Sequence, residues 1–201
     1  IDSKGIKYIG SFQDNKKHGK GEIYDNEGSK TYEGNFKNDK MNGLGTFYSK
    51  KGIYHGNFVN GLMDGKGKLT FSNNAIYDGL FKEGKKHGKG VYTYASGDKF
   101  EGEWKNGSMD GGGVYTSIDG EVKKGGWKND IYTYSEAQWN KIEKDRIENE
   151  LKEAKKQQLK YEKEQAKLKE KLKKEEMDNQ KYKRIYNACL LDKSSKVDIQ
   201  I

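Results

Sequence analysis

The sequence predicts a mostly β protein, an elongated single-layer antiparallel sheet of repeated β-hairpins followed by one long C-terminal α-helix. Three observations predict this fold. Glycine and aromatic residues recur every 22 to 24 positions through the first 130 residues. The 201-residue chain contains 26 glycines and no proline, as regular turns repeated many times would require. Hydrophobic residues make up only 31% of the chain and charged residues 35%, which is too little apolar material for a conventional globular core.

The repeat is defined by columns of residues that agree in five copies. Each copy opens with an aromatic residue. A glycine comes two positions after this opening residue, and a second aromatic residue comes four positions after it. A G-x-G pair comes at offsets 11 and 13, and a residue suited to positive φ comes at offset 20. Offsets 0, 2 and 4 have the period of a strand, so these side chains share one face. The opening residues are Tyr8, Tyr32, Tyr54, Tyr77 and Phe100, and the offset-20 residues are Gly28, Gly52, Asn74, Gly97 and Gly120.

Each copy is predicted to be one hairpin, with segments such as 38–42 and 83–87 as the hairpin loops. A lone hairpin is marginally stable, so the copies must stack and shield one another's aromatic rings. A sixth copy begins at Lys123, which lacks the opening aromatic ring, and the array is expected to stop there as a half-copy.

The segment Tyr77–Gly90, YDGLFKEGKKHGKG, resembles the MORN (membrane occupation and recognition nexus) repeat. Five copies cover residues 8–122, and residues 123–130 form a degenerate sixth. The resemblance implies a twisted antiparallel sheet with an aromatic-lined groove. It also implies a scaffold role, since members act in cytoskeletal, ciliary and membrane-junction assemblies, and some have been proposed to bind phosphoinositides.

The predicted domains are the repeat array at 1–130, a short junction at 131–134, a charged helix at 135–191 and a tail at 192–201. Ser135 is placed as the helix N-cap with Gln138 three residues later, which is a capping-box pattern. Tyr134 and Trp139 are then positioned as a hydrophobic staple, and Trp139 is expected to cover the last hairpin.

A 4–3 spacing of residues along the helix predicts a coiled-coil seam. Four of its thirteen positions are polar, which argues against a tight homodimer. Two interpretations stay open: a weak coiled coil with a partner protein, or a solvated single helix stabilised by i,i+4 ion pairs. The apolar seam positions before Cys189 are Ile147, Leu151, Ala154, Tyr161, Leu168, Leu172, Tyr182 and Tyr186, with the polar Gln158, Gln165, Glu175 and Asn179 between them. Cys189, the only cysteine, is expected on the same seam and favours a reducing compartment.

No pattern of catalytic or metal-binding residues is present, so we expect neither an enzyme nor a cofactor. His18, His55 and His87 lie in separate repeats, where convergence on a metal is not expected. The G-x-G pairs recur inside hairpins with no helix after them, unlike nucleotide-binding loops. The net charge of +8 comes from lysines interleaved with acids, which does not indicate nucleic-acid binding.

The predicted function is therefore that of a non-catalytic scaffold in a cytoskeletal or ciliary assembly of the cytoplasm. A protein helix or peptide would bind an aromatic groove, and the long helix would pair with a coiled-coil partner. The expected groove residues are Phe12, Tyr32, Phe36, Tyr54, Phe58, Tyr77, Phe81, Phe100 and Trp104. One alternative is binding of an anionic membrane surface through Lys16, Lys17, Lys85 and Lys86, and another is a regulatory region of a larger enzyme.

Overall fold

A computed structural model describes the backbone of residues 1–195 and the side chains of residues 1–187. The chain divides into two compact units, residues 1–142 and residues 143–201. The first is a 12-stranded antiparallel open sheet of hairpins, and one long helix follows it. The predicted fold class is confirmed.

The sheet has the simplest possible topology, because each strand pairs with the strands before and after it in sequence. Every pairing is antiparallel, so the whole sheet is a meander with two edge strands. The strands are β1 Lys7–Gln13, β2 Lys16–Tyr24, β3 Lys30–Lys37, β4 Lys40–Ser49, β5 Gly52–Val59, β6 Leu62–Phe71, β7 Ile76–Lys82, β8 Lys85–Thr93, β9 Lys99–Lys105, β10 Ser108–Thr116, β11 Val122–Lys128 and β12 Ile131–Ser135.

The hairpin turns are shorter than the sequence predicts. Segments 38–42 and 83–87 were expected to be loops, but β4 begins at Lys40 and β8 at Lys85. Each turn consists of two residues that both have positive φ, such as Asn60 at 51° and Gly61 at 91°. Two left-handed residues form a type I′ turn, whose twist matches that of the paired strands. The second strand of each hairpin therefore starts about three residues earlier than expected.

The offset-20 residues have the backbone conformation that the sequence predicts. All five have positive φ, from 67° at Asn74 to 146° at Gly52. These residues connect one hairpin to the next, where the conformation favours glycine or asparagine.

The sixth copy is a complete hairpin rather than a half-copy. Residues 131–134 were expected to be a junction, but they belong to β12, which pairs with β11. Tyr132 on β12 supplies the ring that Lys123 lacks. Its ring packs on Trp127 with 5.0 Å between ring centroids, and its hydroxyl donates to the Lys124 carbonyl at 2.9 Å.

Helix α1 spans Glu136–Ser195, so Ser135 lies before it and the helix continues past the expected end at residue 191. The predicted capping box is present. The Ser135 amide donates to Gln138 Oε1 at 2.9 Å, and the Gln138 amide donates back to Ser135 Oγ at 3.5 Å. The Tyr134 and Trp139 rings lie 6.4 Å apart, as expected for the hydrophobic staple. The side chain of Cys189 lies outside the described residues.

The glycine columns set how closely the rings can approach the sheet. A Cβ atom built at Gly79 would lie 2.5 Å from the Gly90 Cα and 2.7 Å from the Tyr77 hydroxyl oxygen. Both distances are shorter than van der Waals contact, so a side chain at this position would displace the Tyr77 ring.

We predict that Gly79→Ala lowers the free energy of unfolding by about 1–3 kcal/mol, because the added methyl group overpacks the ring. The matched control is Asp78→Ala on the same strand, which removes an exposed side chain and is expected to change stability by less than about 0.5 kcal/mol. Urea denaturation of both variants measures the difference. Equal stability of the two variants would contradict this packing argument.

Candidate functional site

The two faces of the repeat sheet differ in chemistry. We call the face that carries the opening aromatic residues the ring face, and the other the opposite face. On the ring face, each opening tyrosine lies across a pair of facing glycines. A Cβ atom built at Gly56, for example, would lie 2.5 Å from both the Gly67 Cα and the Tyr54 hydroxyl oxygen. The tyrosine hydroxyl then donates to the carbonyl three residues later, at 2.9 Å between Tyr54 and Asn57.

The rings of successive copies form one continuous ladder along the ring face. Each opening ring contacts the offset-4 ring of its own copy and that of the next copy, edge to face, with centroids 5.0–5.4 Å apart. Edge-to-face contacts of this kind contribute about 0.5–1.5 kcal/mol each beyond the area they bury. The ladder is therefore the core of the sheet.

Eight of the nine expected groove residues belong to this ladder and are buried. Their exposed fractions are at most 3%, so in this structure they do not form an open surface. Phe12 is the exception, at 62%, because no copy precedes it to provide a ring against its outer side. The buried eight are Tyr32, Phe36, Tyr54, Phe58, Tyr77, Phe81, Phe100 and Trp104.

A row of partly exposed apolar side chains lies beside the ladder on the ring face, and it is not among the groove residues predicted from the sequence. It is the offset-15 column, one residue per copy, and each member pairs across the hairpin with the opening residue of its copy. Phe71 and Tyr94 widen this column, because their ring centroids lie 5.8 Å and 4.7 Å from that of Tyr92. We call this column the flanking row; its members are Ile23, Phe47, Leu69, Tyr92 and Tyr115.

Lys86 interrupts a methionine column on the same face. Offset 9 holds Met41, Met63 and Met109 in three copies, where the thioether side chains pack against the ladder. The Lys86 ammonium instead lies 3.7 Å from the centre of the Trp104 ring and 4.7 Å from that of Tyr92. Burial lowers the pKa of Lys86 to about 8, although the ring faces attract the charged form.

The four lysines expected to contact lipid are not equivalent. Lys16 and Lys85 are exposed beside the hairpin turns. Lys17 and Lys86 fold back over rings, and the Lys17 ammonium lies 5.4 Å from the centre of the Tyr8 ring. Only the first pair is fully presented to a surface, and lipid binding through these residues stays a prediction.

The opposite face contains a slot for a tryptophan, formed by two glycines. At offset 12 the earlier copies carry Lys20, Leu44, Lys66 and Lys89, but the fifth carries Gly112. At offset 3 of the sixth copy stands Gly126. A Cβ atom built at Gly112 would lie 2.5 Å from Trp139 Nε1, and one at Gly126 would collide with the same indole ring. The first turn of α1 is therefore held on the opposite face of the last hairpins, which confirms the expected contact of Trp139 with this end of the array.

A groove of about 620 Å³ continues from Trp139 across strands β8 to β11. Its floor is glycine backbone, and its walls include Val91, Glu101, Glu103 and Val114. Carboxylates, lysines and short apolar side chains are mixed here, in contrast to the aromatic ring face.

The residues whose side chains the structure describes, 1–187, contain no cluster suited to a metal ion. No group of three or more histidine, cysteine or acidic residues converges among them. Burial in the ladder raises the pKa values of Tyr32 and Tyr54 to about 12, and the negative charge of Asp64 adds to the effect at Tyr54. The described part of α1 contains no stretch apolar enough for a membrane span.

Comparison with known proteins gives one family. The family model described as MORN repeat matches five consecutive segments that together cover more than half of the chain. Its boundaries agree with the hairpins: each match begins at an opening aromatic residue, and the sixth hairpin lies outside them. No curated protein matches the sequence. The matched segments are 8–30, 32–53, 54–76, 77–99 and 100–122.

We predict that Lys86→Met stabilises the protein by about 1 kcal/mol at pH 7, because the folded state then no longer holds a partly buried charge. The folded pKa of Lys86 is lower than that of an unfolded lysine, so the penalty is full below pH 8. It disappears as the pH rises from 8 toward about 10.4, the ordinary lysine pKa. The gain in unfolding free energy should shrink over that interval.

Chemical denaturation of the wild type and Lys86→Met between pH 7 and 10 measures this difference. The buried tyrosines also titrate in alkali, but they are common to both proteins and cancel in the comparison. Lys85→Met is the control, since it removes the same charge from an exposed neighbour. A gain that is equal for both variants, or independent of pH, would refute the proposed burial penalty.

We predict that Gly112→Ala expels Trp139 from its slot. The added methyl group occupies the position of the indole nitrogen, so amide hydrogen exchange in residues 139–142, the first amides bonded within the helix, should become at least about tenfold faster, corresponding to about 1.4 kcal/mol. Strands β1–β8 should exchange at the wild-type rate. Val114→Ala, next to the slot on the same strand, is the control that should leave residues 139–142 protected. Unchanged protection in Gly112→Ala would show that the slot does not hold the helix.

Proposed function

The chain belongs to the MORN repeat family, and we propose that it is a non-catalytic scaffold that binds the amphipathic helix of a partner protein along its ring face. MORN repeats are not catalytic, and they occur in scaffold or membrane-associated proteins. The scaffold function in a cytoskeletal or ciliary assembly rests on that family membership. The mode of binding rests on the geometry of the ring face.

The flanking row is the observation that supports this mode. It places one partly exposed apolar residue in each of five successive copies, in line beside the ladder. Each copy contributes two strands, so adjacent members of the row are roughly 10 Å apart. Seven residues of an α-helix rise about 10.5 Å. A helix lying across the strands therefore meets each copy once per seven residues.

The buried ladder gives the flanking row rigid support. Its rings are held by edge-to-face contacts and by glycine backbone beneath them, so the flanking side chains stand on a rigid base. A rigid surface loses little conformational entropy when a ligand binds. The eight buried rings thus support the contact surface, and the partner touches the flanking row.

The phenol hydroxyls of Tyr92, Tyr94 and Tyr115 add polar groups to the apolar row. Aromatic residues with a hydroxyl at the edge of an apolar surface are common in protein interfaces, since they bury large areas and still form hydrogen bonds. Among the described residues, the Tyr94 hydroxyl has one weak hydrogen bond, to the Met109 sulfur at 3.9 Å, and a stronger acceptor on the partner would replace it. The fourth and fifth copies, which carry these tyrosines, are therefore the expected centre of the interface.

Photo-crosslinking tests this function. A benzoyl-phenylalanine replacing Tyr92 should crosslink to a helical segment of one protein in the cell, whereas the same group replacing Leu44 on the opposite face should not. Binding of the purified partner segment should then weaken at least about tenfold in Leu69→Lys, because a charge enters an apolar contact. Leu44→Lys, which adds the same charge to the opposite face, is the control.

Two results would overturn the proposal. One is crosslinking from position 44 at the same level as from position 92. The other is a partner segment that binds Leu69→Lys as tightly as wild type. Circular dichroism of both lysine variants checks that the sheet is intact before either result is interpreted.

A further inference from the structure

Among the described residues, the part of α1 in the second unit has a row of apolar side chains that no other element covers. All seam residues from Ile147 to Tyr186 are exposed, and five of the apolar ones lie between 51% and 58%: Ile147, Leu151, Tyr161, Leu168 and Leu172. In a coiled coil these side chains would be the knobs of the contact, at heptad positions a and d. Their 4–3 spacing assigns position d to Ile147 and position a to Leu151, and the later positions follow.

The polar residues of the seam are not randomly placed. Three of the four, Gln158, Gln165 and Asn179, fall at position a, and only Glu175 falls at position d. In a parallel, in-register pair of identical helices, each a residue faces its own copy. The amides then hydrogen-bond to each other, and a polar a position sets register and orientation at some loss of affinity.

The charges beside the seam match the same arrangement. In a parallel pair, a g residue faces the e residue five positions later on the other helix. Glu150 then faces Lys155, and Glu164 faces Lys169. Continuing along the seam, Lys171 faces Glu176 and Asp178 faces Lys183, while the remaining pair, Gln157 with Glu162, is neutral.

Most of these charges are available for such pairing. Within the described residues, Glu150 and Lys171 form ion pairs along their own helix, with Arg146 and Glu175. The other six charged members of the four attractive pairs form no salt bridge: Lys155, Glu164, Lys169, Glu176, Asp178 and Lys183.

We infer that residues 147–186 form a parallel, in-register coiled coil with a second copy of this chain. An antiparallel pair centred on the same segment would place Gln165 against Leu168 and Asn179 against Ala154, leaving amides without hydrogen-bonding partners. Gln158 would face Glu175 and keep a hydrogen-bonding partner, so Gln165 and Asn179 are the two amides that select the parallel orientation. The flanking charges select an identical partner. The polar seam, with Glu175 facing its own copy, keeps the dimer weak rather than preventing it.

Sedimentation equilibrium of the full chain over a range of concentrations is the first test, and a reversible monomer–dimer equilibrium is expected. The double variant Glu164→Lys/Asp178→Lys sets like charges against each other across the interface, and should weaken dimerisation at least about tenfold. The complementary double variant Lys169→Glu/Lys183→Glu should do the same. An equimolar mixture of the two should recover dimers, since every altered pair is then attractive.

Disulfide crosslinking tests the orientation. In a Cys189→Ser background, Gln165→Cys should form an interchain disulfide, because facing a positions in a parallel pair come within disulfide range. Lys167→Cys, two residues away and off the seam, is the control that should not. The inference is overturned if the full chain stays monomeric throughout, if a dimer is insensitive to charge reversal, or if the mixed variants do not recover. A dimer that crosslinks no better through position 165 than through 167 also overturns it.

Discussion

A tyrosine ring lying across two facing glycines is the contact on which this repeat array depends. Because neither glycine has a Cβ, the ring rests directly on the backbone of both strands of its hairpin. Because the ring lies this close to the backbone, the tyrosine hydroxyl donates a hydrogen bond to a carbonyl of the same strand. The outer side of the ring packs edge to face against the ring of the next copy. One contact thus joins strand to strand and copy to copy, and it explains how so little apolar material stabilises 12 strands.

That contact also explains what could be predicted from the sequence. The tyrosine, the glycine and the second aromatic residue recur together because each packs against the other two. The hairpins, the faces of their strands and the family could therefore be predicted from residue spacing. The turn at Asn60–Gly61 could also be predicted, since Asn-Gly is the usual pair for a type I′ turn. The loops were nevertheless predicted too long, because the second strand was taken to begin only at the G-x-G pair. The sixth hairpin was missed because Tyr132 comes from the opposite strand and lies at no repeated offset.

The candidate site was harder to predict, since periodicity does not distinguish a buried ring from an exposed one. Tyr77 and Tyr92 are both tyrosines on one face, paired across one hairpin, yet the first is fully covered and the second is not. The difference arises from the glycines: Tyr77 has a glycine pair beneath it, whereas Tyr92 stands at the margin. The position of Lys86 likewise follows from neighbouring rings that only the folded sheet brings together. Binding of a partner to the flanking row depends on the surface of a second protein, and the spacing of residues within one chain carries no information about that surface.

The Trp139 slot makes the two ends of the array unequal. Internal copies fill the corresponding positions with lysine, leucine, asparagine or glutamate, so only the last pair of hairpins can accept the start of the helix. Internal hairpins, in contrast, are interchangeable, because each contacts only its neighbours. Copies could therefore be gained or lost in the middle of the array during evolution, which would lengthen or shorten the ring face. The packing of Trp139 on the last hairpins would stay the same.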